Sequence, residues 1–526
     1  MRLFVCEQKQ IALMADEKLH MQIFHRLFAI NCSEMRINMK LKDLLVDLEY
    51  KCISGTLDTE ISFVANDSRK VTEGTLFICI SGSVVDGHTF VDEVAKKGAV
   101  AVVVEKEVEV PQGVTTILVE NTRYAMALIS AAYFGHPSKD LKVIGITGTK
   151  GKTTTTYMVK SMLEAAGHKV GLIGTIEIMI GSTVIPAKNT TPESYDLQQY
   201  MRQMVDVGID TVVMEVSSQG LMLHRTAGIQ FDYGIFTNLS PDHIGPNEHK
   251  DFEDYAACKG MLFRQCKVGI VNQDDEHVSM VTKGHTCKLE TFGIEKEADL
   301  QAKEVSLYRE GNTLGVSFVL DGLLNYKVFV DIPGDFSVYN ALTAIAIARH
   351  FEIEEEIVKK ALRQIKVKGR VEMVPISDHF TLMIDYAHNA MSLESILTTL
   401  RKYEPKRLVC LFGCGGNRSK LRRYEMGEVS GKLADLTVIT SDNPRTEEPQ
   451  AIIDDIKVGM EKTKGEYVEI CDRKEAIRYC IKNAKEGDII VLAGKGHEDY
   501  QEINGVKHHM DERELIQDIL KEEQLS

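Results

Sequence analysis

The chain has 526 residues with a formal net charge of -15, 44% hydrophobic and 26% charged residues, and no Trp. That length exceeds what one core organises, so two to four domains are expected, and the acidic balance argues against nucleic-acid binding as the main activity. Eleven scattered cysteines form no C-x-x-C pair, and the Cys410/Cys414 spacing reads as packing, so a reducing cytoplasm fits best. No apolar run approaches a membrane span, and the first forty residues lack a continuous signal-peptide core, so neither membrane insertion nor secretion is expected.

Residues 1–38 form an extension of unassigned role, because Met39 to Leu45 reads as the opening of a domain. A small mixed α/β region follows. It carries Asp67-Ser68-Arg69, a strand over Gly74 to Ile80, turns at Ser81 to Ser83 and Asp86 to His88, and a buried strand over Gly98 to Val104. Alone, Asp67-Ser68-Arg69 is only a polar turn.

The next region is organised around Val143 to Thr156. Val143, Ile144 and Ile146 read as a buried strand that breaks into the turn Gly148-Thr149-Lys150-Gly151, after which Lys152 and Thr153 open a helix. Glycines let successive N–H groups aim inward and the helix N-terminus adds a positive dipole end, so the stretch reads as a phosphate cradle. Lys152 would reach terminal phosphates and the Thr153 hydroxyl would ligate Mg2+. Ile146 stands where the strict phosphate-loop spacing has glycine, and an ordinary glycine-rich strand-to-helix turn is the competing reading.

The helix repeats Met158, Met162 and Ala166 at a spacing of four and stops at Gly167; strands follow at Val170 to Ile173, Asp210 to Glu215 and Phe231 to Asn238. Strands alternating with helices imply a parallel sheet, whose ligands gather beyond the carboxyl ends of the strands. That places Gly148 to Thr153, Glu215 and His243 on one rim, where Thr153 and Glu215 can share a hard cation and His243 can add a nitrogen ligand or a proton-transfer group. By itself His243 is a surface histidine. Lys259, on a partly apolar helix after Tyr255, reads as a lysine that snorkels to solvent. A buried helix runs from Asn340 to Ala348.

Beyond Lys366 to Gly369 the alternation resumes. Strands at Phe380 to Ile384, Leu408 to Phe412, Leu436 to Thr440 and Ile489 to Leu492 end respectively in Asp385-Tyr-Ala-His388, Gly413 to Arg418, Asp442 to Arg445 and Gly494 to Glu498. Four polar loops on one edge read as a second nucleotide-fold-like domain with a binding rim.

Thr147 to Thr153, Asn189 to Pro192, Met214 to Ser218, His224-Arg225, Asp242-His243, Lys259, Gly369-Arg370, Asp385 to His388 and Gly494 to Glu498, in this order, resemble the Mur ligases of bacterial cell-wall synthesis. More narrowly they are similar to the MurE type, which adds the third peptide residue to UDP-N-acetylmuramoyl-L-alanyl-D-glutamate. The resemblance implies an α/β fold of three domains. These are a UDP-substrate-binding domain over 39–139, a central ATP-binding domain with a phosphate-loop parallel sheet over 140–368, and a Rossmann-like amino-acid-binding domain over 369–526. It implies ATP contacts at Gly148, Thr149, Lys150, Gly151, Lys152, Thr153, Thr154, Asn340 and Arg370, and Mg2+ at Thr153, Glu215 and His243. Lys152, Glu215, His243 and a carbamylated Lys259 would serve catalysis. Ser68, Thr190, Thr191, Ser217 and Arg225 would contact the UDP substrate, and Arg418, Asp442, Asn443, Pro444, Arg445, Gly494 and Glu498 the incoming amino acid. Asp442 to Arg445 match the signature of the members that add meso-diaminopimelate, whose extra carboxylate suits an arginine fork.

The chain departs from the family's pattern at Leu223, at Ser83-Val84-Val85 beside the uridine, and over Asp242 to His249. The reaction implied is ATP-driven amide formation through an acyl phosphate, in a cytoplasmic monomer without nucleic-acid partners. The alternatives are the L-lysine-adding enzyme of the same type, a folylpolyglutamate synthetase, a non-catalytic relative that only binds, and an unrelated phosphate-loop ATPase.

Overall fold

The computed structural model describes residues 38–82, 85–245 and 248–523. The extension expected over 1–38 lies outside them except for Asn38, as do Ser83 and Val84, expected beside the uridine, and Pro246 and Asn247 of the stretch Asp242 to His249. The chain forms two compact units. One holds the described residues through His136 with Ser194–Gln199 and Leu223–Gly228; the other holds Pro137–Glu193, Tyr200–Met222 and the chain from Ile229 onward. The break after His136 falls just short of the expected start at 140, and the segment carrying Arg225 belongs to the first unit.

In the first unit five strands are ordered Lys51–Ser54, Thr115–Leu118, Ala99–Val104, Thr75–Ile78, Phe63–Ala65, the last four parallel. Alternation along Ala99–Val104 explains its two helix layers. Ala101 and Val103 pack with Leu41, Leu44, Met126 and Ile129, whereas Val102 and Val104 pack with Val91 and Val94 on the opposite face. A strand covered on both faces reads as an unbroken apolar run, which is why AVAVVV was visible in the sequence.

The second unit begins with an eleven-stranded sheet. Its parallel middle runs Val170–Ile173, Thr211–Glu215, Lys142–Thr147, Phe231–Phe236, Cys266–Asn272, Lys288–Gly293. Helices Lys152–Ala165 and Asp335–His350 bury Met158, Met162, Leu342 and Ile345 in one core with Ile144 and Ile146. The edges differ from the all-parallel expectation. Glu177–Ile180 and Thr183–Pro186 form an antiparallel hairpin at one side, and Leu300–Glu310, Thr313–Gly322 and Lys327–Val330 an antiparallel meander at the other. Gly181 and Gly311, both at φ 60°, supply the left-handed residue that such tight hairpins require.

A six-stranded sheet follows, ordered Glu372–Met373, Thr381–Asp385, Asp488–Ala493, Arg407–Phe412, Leu436–Ile439, Glu466–Glu469, with all but the first strand parallel. Cys410 and Phe412 face one helix layer with Leu397, Met426 and Ile456, and Val409 and Leu411 face another with Ile477 and Ile516. Leu314, from the meander of the preceding sheet, is buried in the first of these cores. The Tyr403 hydroxyl accepts from Gly334 N (3.2 Å) and donates to Gly315 O (2.8 Å), stitching the two sheets' regions together.

Candidate active site

The turn between Lys142–Thr147 and Lys152–Ala165 is held from behind by the next strand end. Asn238 Oδ1 accepts from Lys150 N (2.9 Å), Asn238 O accepts from Thr149 N (2.9 Å), and Thr237 Oγ1 and Asn238 Nδ2 donate to Lys150 O (2.8 and 3.0 Å). Gly148 sits at φ 153°, and a Cβ there would stand 1.9 Å from Thr237 Oγ1, so neither the backbone nor the space admits a side chain. Gly151, at φ 87°, is similarly closed by Asn340 Oδ1, which also accepts from Thr155 Oγ1 (3.1 Å). Thr154 lies in the first turn of the helix.

Two lysines converge on one carbonyl. Lys152 Nζ donates to Gly148 O (2.8 Å) and Thr149 O (3.2 Å), and Lys259 Nζ donates to Gly148 O (2.9 Å). Lys259 is 1% exposed and lies over the Tyr255 ring at 4.4 Å, so the snorkelling expectation is overturned: its helix, Phe252–Gly260, turns that face inward. Burial, reinforced by the Lys152 ammonium, holds Lys259 well below the ordinary lysine range. Burial also lowers Lys152; Glu215 opposes that shift and Arg370 adds to it. Tyr255 ties the helix to the cradle through Thr149 Oγ1 (3.1 Å).

Glu215 ends its strand 1% exposed, accepting from Thr153 Oγ1 (3.0 Å), Thr175 N (2.9 Å) and Thr175 Oγ1 (3.0 Å). Thr153 and Glu215 are therefore brought together as expected. His243 stands on an exposed loop, at φ 55°, its ring 6.3 Å from that of Tyr255 and its Nδ1 paired with Glu248 (3.0 Å). Thr175 Oγ1 lies 3.0 Å from Thr190 Oγ1, and Thr191 Oγ1 bridges Glu215 O (2.9 Å) and Ser217 (N 2.9 Å, Oγ 3.2 Å). In the other unit Ser68 opens a 3-10 turn capped by Asp67, a carboxylate lowered to about 2 by Arg69, and Arg225 follows His224, whose φ is 54°.

On the third region's edge Arg370 lies over the Tyr386 ring at 4.7 Å, and the same ring is 4.6 Å from His497. Asp442 and Asn443 are buried; Asn443 Nδ2 donates to Glu498 Oε2 (2.9 Å), and Lys495 Nζ donates to both Asn443 Oδ1 (3.1 Å) and Glu498 Oε2 (2.8 Å). Pro444 O crowds Gly416, whose added Cβ would meet it at 1.9 Å. Arg445, at φ 54°, donates from Nη1 to Gly416 O (2.7 Å) and from Nε to Glu502 Oε2 (3.2 Å). Gly494 N donates to Asp385 O (3.0 Å), while Arg418 is exposed. Sequence reasoning left Thr175, Asn238, Tyr255 and Lys495 without roles. Thr175 and Asn238 could have been found by the strand-end rule; Tyr255 and Lys495 act through packing that no local pattern carries.

Three family models match the chain: the Mur ligase family catalytic domain over 60–135, the Mur ligase middle domain over 146–348 and the Mur ligase glutamate ligase domain over 369–496. Among curated proteins, the UDP-N-acetylmuramoyl-L-alanyl-D-glutamate--2,6-diaminopimelate ligase of Clostridium perfringens is 42% identical over 92% of this chain and 100% of its own length. The protein of that name from Caldanaerobacter subterraneus is 45% identical over 92% of this chain and 99% of its own. A solved structure of a ligase with this name superposes with a TM-score of 0.71 at 28% identity, covering 93% of this chain and 100% of that one. A ligase structure from Acinetobacter baumannii, with a TM-score of 0.58 at 19% identity, shares the fold. Domain order, phosphate cradle and identity over nearly the full length agree, and the chain belongs to the Mur ligase family, as an ATP-dependent ligase of its MurE type.

Proposed function

We propose that the protein joins meso-diaminopimelate to the D-glutamyl γ-carboxylate of UDP-N-acetylmuramoyl-L-alanyl-D-glutamate, driven by ATP, in peptidoglycan precursor synthesis. The reading is carried by the match, at 42% identity across 100% of its length, to a relative named for that reaction. No helix among the described residues is long and apolar enough to cross a membrane, and the nine described cysteines are all free, which supports a cytoplasmic place. A monomer with no nucleic-acid partner fits the acidic charge.

Gly148 to Thr154, with Asn340 and Arg370, would hold ATP. The Thr153 hydroxyl on the buried Glu215 carboxylate is a hard oxygen set that suits Mg2+, with His243 and a carbamate on Lys259 as further donors. Mg2+, when bound, would offset charge on the phosphates. A carboxylate is a poor electrophile, so the substrate's γ-carboxylate attacks the γ-phosphate of ATP, forming an acyl phosphate and releasing ADP. Lys152 meets the negative charge that develops there. The amine of the incoming amino acid then attacks the acyl carbon and phosphate leaves. Ser68, Thr190, Thr191, Ser217 and Arg225 would orient the UDP substrate, and Arg418, Asp442 to Arg445, Gly494 and Glu498 the amino acid.

Phosphate release from ATP, measured with the UDP dipeptide and with meso-diaminopimelate, L-lysine or no amino acid, tests the reading. Turnover with diaminopimelate alone is expected. Turnover with lysine would keep the ligase and overturn the role of Arg445; release indifferent to both substrates would return the protein to a generic ATPase.

A further inference from the structure

Ahead of Lys259 lies a cluster that the ligase chemistry does not use. His249 is fully buried; its Nδ1 is 3.2 Å from Asp254 Oδ2 and its Nε2 is 2.9 Å from Ser218 Oγ, itself buried. Cys258 stands four residues after Asp254 on helix Phe252–Gly260, so thiol and carboxylate share one helix face. One donor atom from each of His249, Asp254 and Cys258 lies within 4.8 Å of the other two.

We infer that His249, Asp254 and Cys258 form a binding site for a thiophilic divalent cation of the Zn2+ class. One imidazole nitrogen, one carboxylate oxygen and one sulfur are the donors such an ion takes, whereas Mg2+ prefers oxygen alone. Zinc-ligand bonds of about 2.0–2.3 Å bring donors to within roughly 3.3–3.8 Å of each other, so the His249–Asp254 spacing already fits and Cys258 Sγ closes on them by about 1 Å. Ser218 Oγ can accept a hydrogen bond from Nε2, the support that a histidine ligating through Nδ1 takes on its other nitrogen. The Asp254 side chain, 29% exposed, is the way in from solvent. On binding, the Cys258 S–H bond breaks, its proton passes to solvent and the sulfur pair forms the bond to the ion; no electron is transferred. The occupied site would tie the helix bearing Lys259 to the start of helix Ser218–Met222 through His249. The inference rests on the donor set and stands apart from the choice of amino acid substrate.

The test titrates Co2+, a spectroscopic stand-in, into the full-length metal-free protein with Mg2+ in excess to occupy oxygen sites. The expected result is a thiolate-to-cobalt charge-transfer band that saturates at one equivalent and is abolished by Zn2+. It disappears in Cys258→Ser and persists in the Cys52→Ser/Cys471→Ser double variant, which removes the two exposed described thiols. Ser218→Ala should weaken Co2+ binding about 10–100-fold. If Cys258→Ser fails to fold, Asp254→Asn carries the test with a loss of at least about tenfold in affinity. Absence of the band from the unaltered protein, or its survival in Cys258→Ser, overturns the site.

Discussion

Lys259 and Lys152 meet at the carbonyl of Gly148, and the first consequence is chemical. Burial, then the neighbouring Lys152 ammonium, shifts Lys259 toward the neutral amine, the form that adds to CO2, and so favours carbamylation there. With 13C-labelled bicarbonate a carbamate carbon signal is expected from the protein and not from Lys259→Ala, which should also lose turnover by about 100–1,000-fold. His497 offers a pH test. Burial, then Arg370, pushes it down to about 4 from the ordinary histidine value of 6.5, and its Nδ1 has no partner among the described residues. The unfolded chain therefore takes up a proton that the folded chain refuses. Stability tied to this group is intact above pH 6.5, falls as pH drops from there toward 4, and is lost below, by on the order of 2–3 kcal/mol. Chemical denaturation at pH 7 and pH 4.5 should show a smaller loss for His497→Gln than for the parent. Lys152, Thr153, Glu215 and Arg445 were legible as candidates because each sits in a loop pattern with a chemical reason. The inward turn of Lys259 was not, since its burial comes from Gly148, 111 residues away in sequence.

At the scale of elements, the cradle depends on the glycine that two strand ends squeeze. Gly148→Ala would drive a methyl group against Thr237 Oγ1 and fix an L-residue at φ 153°. An expected loss of about 1–3 kcal/mol in unfolding free energy, together with abolished nucleotide binding by calorimetry, checks the requirement. The parallel strands could be read from sequence because burial on both faces leaves runs such as VIGI and LVCLF unbroken. The antiparallel edges were missed for the converse reason: strands such as Leu300–Glu310 are buried only over their first three residues, are exposed or half-buried beyond them, and carry little apolar signal. One antiparallel turn was nonetheless written plainly, in a separate two-stranded sheet: Asn504-Gly505, with φ 49° and 77°, is the dipeptide of a tight hairpin between Tyr500–Ile503 and Val506–His509.

For the whole second unit, the charge of Arg370 acts on Lys152 and so couples the edge that would hold the amino acid to the cradle that would hold ATP. Tyr403 helps to keep that arrangement. Tyr403→Phe removes its two hydrogen bonds, worth about 1–3 kcal/mol together. A ligand-free variant with a larger radius of gyration by X-ray scattering, reversed by ATP and both substrates, is the expected outcome. Three family models divide the chain in sequence, yet the central sheet does not stop at its own boundary, because Leu314 completes the core of the next sheet. Modules that evolution or an engineer would exchange are therefore not those a linear cut at residue 369 suggests. A chimaera that imports a foreign region from 369 onward must bring the donor's counterpart of the 311–315 turn with it, or Leu314 and Gly315 meet a surface shaped for another partner. The region from 369 onward is inherited together with the patch of its neighbour on which it rests.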